Sequence, residues 1–322
     1  SFPTRRSSDL IGNPAGLPFY DLFAPVATND QDFSIDEAHA FITKHFADFS
    51  QELSDFADKC FKLKWIDFEP AEGKVGGAFC SNLPSIKQSR VLLNYTGKLK
   101  NVLTIAHELG HAFHGDRIMH ESILNTSYPM PLAETASIFC ETIVRNAVLK
   151  DAEEDMKLSI LENSLQSATQ VVVDILSRYY FESEVFETRK DHPLSVEELN
   201  QLMVASQIKA YGDGLDQTVL HPAMWLNKTH YYYASRNFYN FPYAFGLLFA
   251  TGLYATYLED KTAFVPAYDA MLKATGKMNI VDVCALMDIN PADKAFWASS
   301  LQKIKEDVDQ FEQVVNRKLS LS

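Results

Sequence analysis

The sequence lacks the cysteine patterns that stabilise small secreted proteins. Its four cysteines, at positions 60, 80, 140 and 284, lie far apart and form no CxxC pair. Disulfide frameworks and thiolate zinc sites are recognised by closely spaced cysteine pairs, and the sequence indicates neither. Reduced thiols are the default in the cytosol, so we expect a cytoplasmic protein.

Positive charge and long hydrophobic runs are also scarce. The chain has 29 Lys and Arg against 42 Asp and Glu, a net charge of −13, and such a surface repels phosphate backbones and anionic membranes. Residues 237–258 carry no charge, but they include Pro242, Gly246 and Gly252, and their hydrophobicity is modest for a membrane span. We therefore expect a buried helix there, and neither nucleic acid nor a membrane as a partner.

The length and composition allow a substantial core. A chain of 322 residues with 47% hydrophobic residues can form one large domain or two smaller ones. No internal repeat, low-complexity tract or long linker divides it, so we predict one catalytic domain over residues 11–322. Residues 1–10, SFPTRRSSDL, resemble the translation of a widely used DNA sequencing adapter and are treated as an artefact. We accordingly expect the natural protein to begin further upstream.

Local patterns predict a mainly α-helical protein with a small sheet. Ser34 with Glu37, and Ser195 with Glu198, have the spacing of capping boxes at helix N-termini. Short strands are predicted at 65–68, 76–80 and 90–95. Helices are predicted from Asn101 to His114 with Gly115 as the stop, over 131–149 and 152–189, and in several pieces between 243 and 319.

The chemistry of the chain centres on residues 104–112, TIAHELGHA, which contain the pattern HExxH. Histidines four positions apart on a helix lie one turn above each other, so His107 and His111 can bind the same ion. Glu108 lies beside the open coordination position, where a carboxylate takes a proton from a zinc-bound water. Apolar residues at 102, 105, 109 and 113 are spaced to anchor this helix in a core. Chance occurrence is the alternative, and the helical context disfavours it.

A hydrolytic zinc site needs three protein ligands and one open position. The extended motif HExxHxxGxxH would require glycine and histidine where the chain has His114 and Arg117. A thermolysin-like glutamate would fall at Met130 or Pro131, so that pattern fails as well. Neither His114 nor His120 lies on the ligand face of the helix, and we expect both to be partly exposed; the alternative for His114 is a supporting contact to a metal ligand.

Two acidic residues further along the chain can complete the site. Twenty-two residues separate Glu134 from His111, and Glu141 follows seven positions later on the same predicted helix face. Carboxylates among apolar neighbours are costly to bury without a cation or hydrogen-bond donors. We predict Glu134 as the third ligand of one Zn²⁺ per chain and Glu141 as the acceptor of a hydrogen bond from a ligand histidine. A solvated charge or a helix ion pair is the alternative for Glu141.

Longer motifs give the chain a family resemblance. HELGHAFH, followed by LAETASIFCE, resembles the oligoendopeptidase F branch of the thimet oligopeptidase family. Further similar segments are Trp225, HYYY at 230–233, FYNFPYAFG at 238–246, GGA at 76–78 and RVLLNY at 90–95. The match runs from about Leu17 to the C-terminus, and its motifs occur in the family's order.

This resemblance implies a mostly helical, zincin-type fold with two lobes around a deep channel. The channel admits short peptides and excludes folded proteins, and members of the family cleave internal bonds of oligopeptides. The family's N-terminal lobe has no counterpart in this sequence. We therefore expect the chain to be the catalytic lobe alone.

The resemblance also implies roles for residues outside the zinc motif. His230 and Tyr243 match the family's donors to the oxyanion of the tetrahedral intermediate, and Tyr239 is a third candidate. The alternative for the two tyrosines is a place in a hydrophobic core.

Substrate contacts are implied for the glycine-rich loop and the strand that follows it. Gly77 and Ala78 lie in the loop, and Leu92 and Asn94 lie in the strand. We expect this strand to pair with the substrate backbone by strand addition.

These observations favour an active zinc endopeptidase that acts on short peptides, and they give no indication of its oligomeric state. A second hypothesis is an inert fragment that binds zinc and peptides without cleaving them, because the N-terminal lobe is missing. The intact HExxH pattern argues against evolved inactivity. A third hypothesis, a zinc aminopeptidase, requires acidic residues for the free amine of the substrate, and the sequence has no motif for them.

Overall fold

The computed structural model describes residues 16–22, 24 and 32–321, without the side chains at 319 and 321. The predicted adapter-derived segment at residues 1–10 lies outside these ranges. The described chain divides into two compact units. Of the described residues, 32–152 and 245–303 form one unit, called the metal unit below. Residues 16–22, 24, 153–244 and 304–321 form the other, called the second unit. The single domain over 11–322 stays a prediction.

The helices confirm a mainly α-helical protein. They are α1 Ile35–Phe49, α2 Gln51–Lys62, α3 Leu99–Ile118, α4 Met130–Ala133, α5 Thr135–Asp151, α6 Glu154–Ala168, α7 Ile175–Thr188, α8 Val196–Tyr211, α9 Phe241–Glu259, α10 Lys261–Ala274, α11 Ile280–Ala285 and α12 Lys294–Leu321. A π-helical turn, Thr169–Asp174, joins α6 to α7 without a break. Within the described ranges, no helix has the length and hydropathy to cross a bilayer.

Both predicted capping boxes are present. The Ser34 hydroxyl accepts a hydrogen bond from the Glu37 N–H, and the Glu37 carboxylate accepts one from the Ser34 N–H at 2.7 Å. Ser195 and Glu198 repeat the arrangement at the start of α8, with 2.8 Å between the serine nitrogen and the carboxylate. These exchanges satisfy backbone donors that a helix leaves unpaired in its first turn.

The small sheet has a strand order that the sequence did not reveal. Its strands are β1 Ile66–Asp67, β2 Phe79–Leu83 and β3 Gln88–Leu92, in the order β1-β3-β2. β3 pairs with β1 in parallel, with Leu92 opposite Asp67, and with β2 in antiparallel, with Leu92 opposite Phe79. The prediction that a substrate strand adds to this strand is therefore wrong, because β3 is the middle strand and both its edges are paired. Among the described residues, β2 is an outer strand.

The helix that carries HExxH is longer than predicted. It begins at Leu99, so Asn101 lies inside its first turn, where its side-chain oxygen accepts hydrogen bonds from the Thr96 and Lys98 N–H groups. It continues through Gly115 to Ile118. A Cβ at Gly115 would lie 2.2 Å from the Asn82 side-chain oxygen. Gly115 therefore permits close packing of the helix against β2 and does not end the helix.

The core of the metal unit fixes this helix on its buried side. Val102, Ile105, Leu109 and Phe113 are all buried, as predicted. α3 crosses α5 so closely that a Cβ at Gly110 would lie 2.4 Å from the Ala136 carbonyl oxygen. Only glycine fits such a contact between two backbones. The predicted buried helix at 237–258 is realised in α9, where Phe249, Ala250 and Leu253 are fully buried.

The second unit has a separate hydrophobic cluster. Its buried members are Leu17, Leu22, Val173, Tyr211 and Leu215. Leu17 also forms an isolated parallel bridge with Leu215. The predicted long helix over 152–189 is present as α6, the π-helical turn and α7 in succession.

Candidate metal centre

Three predicted ligands meet at one point of the metal unit. The Nε2 atoms of His107 and His111 each lie 3.3 Å from the Glu134 Oε2 atom. In the part of the chain that the structure describes, this is the only such group of three donor residues, with donor atoms within 4.8 Å of one another. Nitrogen and oxygen donors about 2.0–2.1 Å from a tetrahedral zinc ion lie about 3.3–3.4 Å apart. The distances from Glu134 to the two histidines therefore fit a zinc ion.

Glu134 occupies a junction between two helices. The predicted continuous helix from position 131 is broken there, because Glu134 lies between the end of α4 and the start of α5, with φ −89° and ψ 2°. The Ser137 hydroxyl donates to the Glu134 Oε2 atom at 2.8 Å. A Cβ at Gly246 would lie 2.8 Å from the Glu134 Cβ. Ser137 thus holds this carboxylate and Gly246 leaves room for it. Both residues lie in segments that carry the family resemblance, but neither was predicted to have a role at the site.

Glu141 lies where a supporting carboxylate is needed. Its Oε2 atom lies 3.0 Å from the Nδ1 atom of His107. In the neutral tautomer with its proton on Nδ1, His107 donates that proton to Glu141 and keeps the Nε2 lone pair for a metal. The geometry is the one that the predicted role requires.

The electrostatics of the site call for a cation at its centre. Burial disfavours the charged form of His107, but hydrogen bonds to Glu134 and Glu141 outweigh it and raise the pKa of His107 to about 10. Burial raises the pKa of Glu134, but hydrogen bonds from His107 and His111 have the larger effect. They hold the pKa of that carboxyl far below its usual range. Two carboxylates around two imidazoles therefore favour a bound positive charge, which a proton or a metal cation can supply.

Glu108 is buried beside the ligands with an unused oxygen. Its exposed fraction is 5%, and within the described ranges its Oε2 atom has no hydrogen-bond partner. Burial raises the pKa of Glu108, while the neighbouring His107 and His111 lower it. A buried carboxylate oxygen without a partner is costly, and a water or substrate proton at this position would satisfy it.

A cavity of about 390 Å³ gives access to these groups. It is lined by Ala78, Phe79, Cys80, Asn82, His107, Glu108, His111, Tyr128, Ala133 and Glu134. The outer strand β2 thus forms one wall of the cavity. Sequence reasoning missed Asn82 and Tyr128, because neither belongs to a motif with a recognised chemistry.

The prediction of a partly exposed His114 is wrong. This residue is fully buried, its Nε2 atom lies 2.8 Å from the Thr275 hydroxyl, and its ring stacks on Tyr128 at 4.0 Å. Burial lowers the pKa of His114 to about 3, so the ring is neutral. His120 is exposed on the surface. His114 therefore supports a wall of the cavity from behind.

Three of the four predicted substrate residues, Gly77, Ala78 and Asn94, line a second cavity, and Leu92 does not. This cavity of about 300 Å³ is lined by Gly77, Ala78, Leu93, Asn94, Tyr95, Lys100, Asn101 and Thr104. The Asn94 amide donates to the carbonyl oxygens of Val75 and Gly77 at 2.9 and 3.1 Å, so it holds the glycine-rich loop. Leu92 has a strand on each side. This pairing contradicts the prediction that Leu92 adds a substrate strand.

The predicted oxyanion donors form a cluster in the second unit. His230 lies in a 3₁₀ turn and is 8% exposed, and among the described residues its Nε2 atom has no hydrogen-bond partner. The rings of His230 and Tyr239 are 5.4 Å apart, and those of Tyr239 and Tyr243 are 6.2 Å apart. Burial, followed by the charges of Arg178, Lys228 and Arg236, lowers the pKa of His230, so the imidazole is neutral.

Comparison with known proteins gives this geometry a family. The model of "Peptidase family M3" matches residues 41–303. Oligoendopeptidase F, chromosomal, of Lactococcus lactis subsp. cremoris is 27% identical over 305 residues, which cover 94% of this chain and 50% of that protein. Oligopeptidase PepF of Bacillus subtilis (strain 168) is 24% identical over 92% of this chain and 44% of its own length. The chain thus spans about half the length of the curated relatives it matches.

Solved structures show the same fold. A crystal structure from Chlamydophila abortus superposes with a TM-score of 0.82 over 96% of this chain and 52% of that chain, at 23% identity. Oligoendopeptidase-F from Enterococcus faecium superposes with a TM-score of 0.69 over 98% of this chain and 50% of its own, at 19% identity. At such identities the likeness establishes the fold alone. The family match extends over most of the chain, and we conclude that this protein belongs to peptidase family M3.

Proposed function

We propose that this chain carries the catalytic centre of a zinc-dependent oligopeptidase that hydrolyses internal bonds of short peptides. The observation that carries the proposal is the approach of His107, His111 and Glu134 to one point, beside the buried carboxylate of Glu108. Relatives named oligoendopeptidase F support the substrate class. The four cysteines are free thiols, which supports a cytoplasmic location as part of the same proposal.

His107, His111 and Glu134 would hold one zinc ion. The ion would supply Lewis acidity toward the scissile carbonyl and lower the pKa of a water in the open position. The chain itself keeps the three ligands in place: Glu141 accepts the Nδ1 proton of His107, and Ser137 donates to Glu134. Such supporting hydrogen bonds orient ligands and tune their basicity.

Glu108 acts as the general base. Its raised pKa makes the carboxylate a better proton acceptor than an exposed glutamate. It takes a proton from the attacking water and later delivers that proton to the leaving amine. Its unpartnered Oε2 atom supplies the lone pair that this step needs.

The peptide would bind along β2. This strand lines the cavity through Phe79, Cys80 and Asn82, and among the described residues it lies at the outside of the sheet. An extended peptide can add to such an edge through main-chain hydrogen bonds. The proposed contacts therefore move from Leu92 on the middle strand to β2, while Gly77 and Ala78 stay in place at its start.

His230 and Tyr243, with Tyr239 as a third candidate, would donate hydrogen bonds to the oxyanion. A neutral imidazole suits this role because it has one N–H donor for the oxyanion. Unlike the imidazolium, it has no second, more acidic proton to lose. The lowered pKa of His230 supports that protonation state.

The decisive experiment is hydrolysis of a quenched-fluorescent peptide with both ends blocked. The zinc-loaded chain is compared with Glu108→Gln, which keeps the size of the side chain and removes the base. Cleavage by the parent with a loss of about 10²–10⁴-fold in the variant supports the proposal. Cleavage of an amino-blocked peptide also excludes an aminopeptidase. Binding of zinc and peptide without cleavage by either protein would instead identify an inert binding fragment.

A further inference from the structure

The segment between His230 and Tyr243 contains a strained residue. Phe238 has φ +52°, in the left-handed region. Bulky side chains rarely adopt this conformation, and such strain persists only where the surrounding structure imposes it. The contacts of Phe238 and its neighbours therefore show what holds the segment.

One face of α7 makes three contacts with this segment. The Glu182 Oε2 atom accepts a hydrogen bond from the Phe238 N–H at 2.6 Å. The Arg178 Nη1 atom donates to the Asn240 side-chain oxygen at 3.1 Å. The ring of Phe186 stacks on the ring of Phe238 at 5.6 Å. Positions 178, 182 and 186 recur every four residues, so these side chains lie along one stripe of the helix.

The stripe is anchored in the interior of the second unit. Arg178 is ion-paired with Asp174, which is 4% exposed and ends the π-helical turn. The Tyr211 hydroxyl donates to the other oxygen of Asp174 at 3.4 Å. Glu182 is itself buried, at 7% exposed. A buried carboxylate and a buried ion pair have well-defined positions, because leaving either unsatisfied is costly.

Tyr239 lies between the two residues that α7 holds. Its ring is 5.4 Å from His230 and 6.2 Å from Tyr243. We propose that Arg178, Glu182 and Phe186 are positioning residues that hold Tyr239 against His230 for the reaction. This inference rests on the proposed function, and it assigns a role to a helix face that no catalytic motif includes.

The test compares Glu182→Ala with Glu182→Gln, whose side-chain oxygen can still accept the Phe238 N–H. The control is Glu184→Ala, an exposed residue of the same helix. In Glu182→Ala we expect deuterium exchange of residues 237–241 to rise about 10- to 100-fold, because a hydrogen bond to a charged group is lost. We expect kcat to fall about 10- to 100-fold, because a misplaced catalytic group lowers the rate, with KM within about twofold. Glu182→Gln should restore most of both.

A second variant pair shows whether the effect passes through Tyr239. In a Tyr239→Phe background, Glu182→Ala should cause little further loss of kcat, since the group that it positions is already absent. An undiminished further loss would overturn the inference, as would exchange and kcat that match those of Glu184→Ala. If Glu182→Ala does not fold, Asn240→Ala removes the other contact and answers the same question. If the parent cleaves no peptide, the proposed function fails, and the exchange measurement still tests the contacts of α7.

Discussion

The two groups of predicted functional residues are built in opposite ways. In the metal unit, His107, Glu108 and His111 lie on one regular helix, and their spacing alone brings them together. In the second unit, His230 and Tyr239 lie in irregular chain, and a helix about 50 residues earlier holds that chain through Phe238. Sites on helices are positioned by the helix itself, whereas sites on loops depend on supporting contacts. The comparison predicts that the two groups fail differently when they are mutated.

The largest expected effect is loss of the metal. His111→Ala removes one of the three proposed ligands. We expect zinc affinity to fall by more than about 100-fold, which is the upper end of the range for residues that only support a ligand. Metal content after dialysis and titration with zinc measure this. His120→Ala is the matched control, because His120 is an exposed histidine just beyond the same helix. Full zinc content in His111→Ala would contradict the proposed role of His111 as a metal ligand.

In the second unit, we expect mutation of His230 to lower kcat and to leave zinc binding unchanged. His230→Ala should lower kcat by about 10²–10³-fold, the cost of one oxyanion donor, because the transition state loses a hydrogen bond. Zinc content should stay at the level of the parent, because none of the three proposed ligands is altered. Steady-state kinetics and metal analysis on the same sample measure both. Zinc loss in this variant would show that the two groups are not separable in function.

The supporting carboxylate of the metal unit should have a moderate effect. Glu141→Gln keeps the shape and weakens the charge-assisted hydrogen bond to His107. We expect zinc affinity to fall about 10- to 100-fold. Competition with a chelator measures the change, and an unaltered affinity would mean that His107 is oriented by other contacts.

The smallest effect concerns a histidine of the metal unit that is not a proposed ligand. The pKa of His114 is about 3 when folded and near 6.5 when exposed. Below pH 6.5 the unfolded chain binds a proton that the folded chain does not, so stability falls as the pH falls toward 3. For one proton, the free energy of unfolding changes by up to about 1.4 kcal/mol per pH unit.

His114→Phe should remove this component while keeping a ring against Tyr128. The free energies of unfolding of the metal-free proteins, measured by denaturation between pH 6.5 and 4.5, should then converge as the pH falls. Parallel curves for parent and variant would show that the buried histidine does not contribute to the pH dependence.

The sequence predicted best what depends on neighbours along the chain. HExxH requires only the pitch of a helix, and both capping boxes require only a spacing of three residues, so these features follow from local geometry. The buried positions of α3 followed from the same periodicity. The break at Glu134 did not, because the residues on either side of it also have a helical pattern.

Sheet order and burial were not predictable in the same way. The strand that carries Leu92 has the composition of a strand, but composition does not say whether it lies at an edge or in the middle. His114 appeared exposed because its face of the helix lacks the metal ligands, yet Thr275 and Tyr128 cover it from distant parts of the chain. Neither contact leaves a signature near position 114.

By itself, the sequence determined the helical class and the placing of His107, Glu108 and His111 together on one helix, because these depend on contacts within one or two turns of chain. Only the tertiary structure decided that β2 is the outer strand, that Gly110 lets two helices cross closely, and that α7 holds the segment around Tyr239. Those features arise from residues far apart in the chain. Their positions follow from packing inside the core of each unit, which no short stretch of sequence encodes.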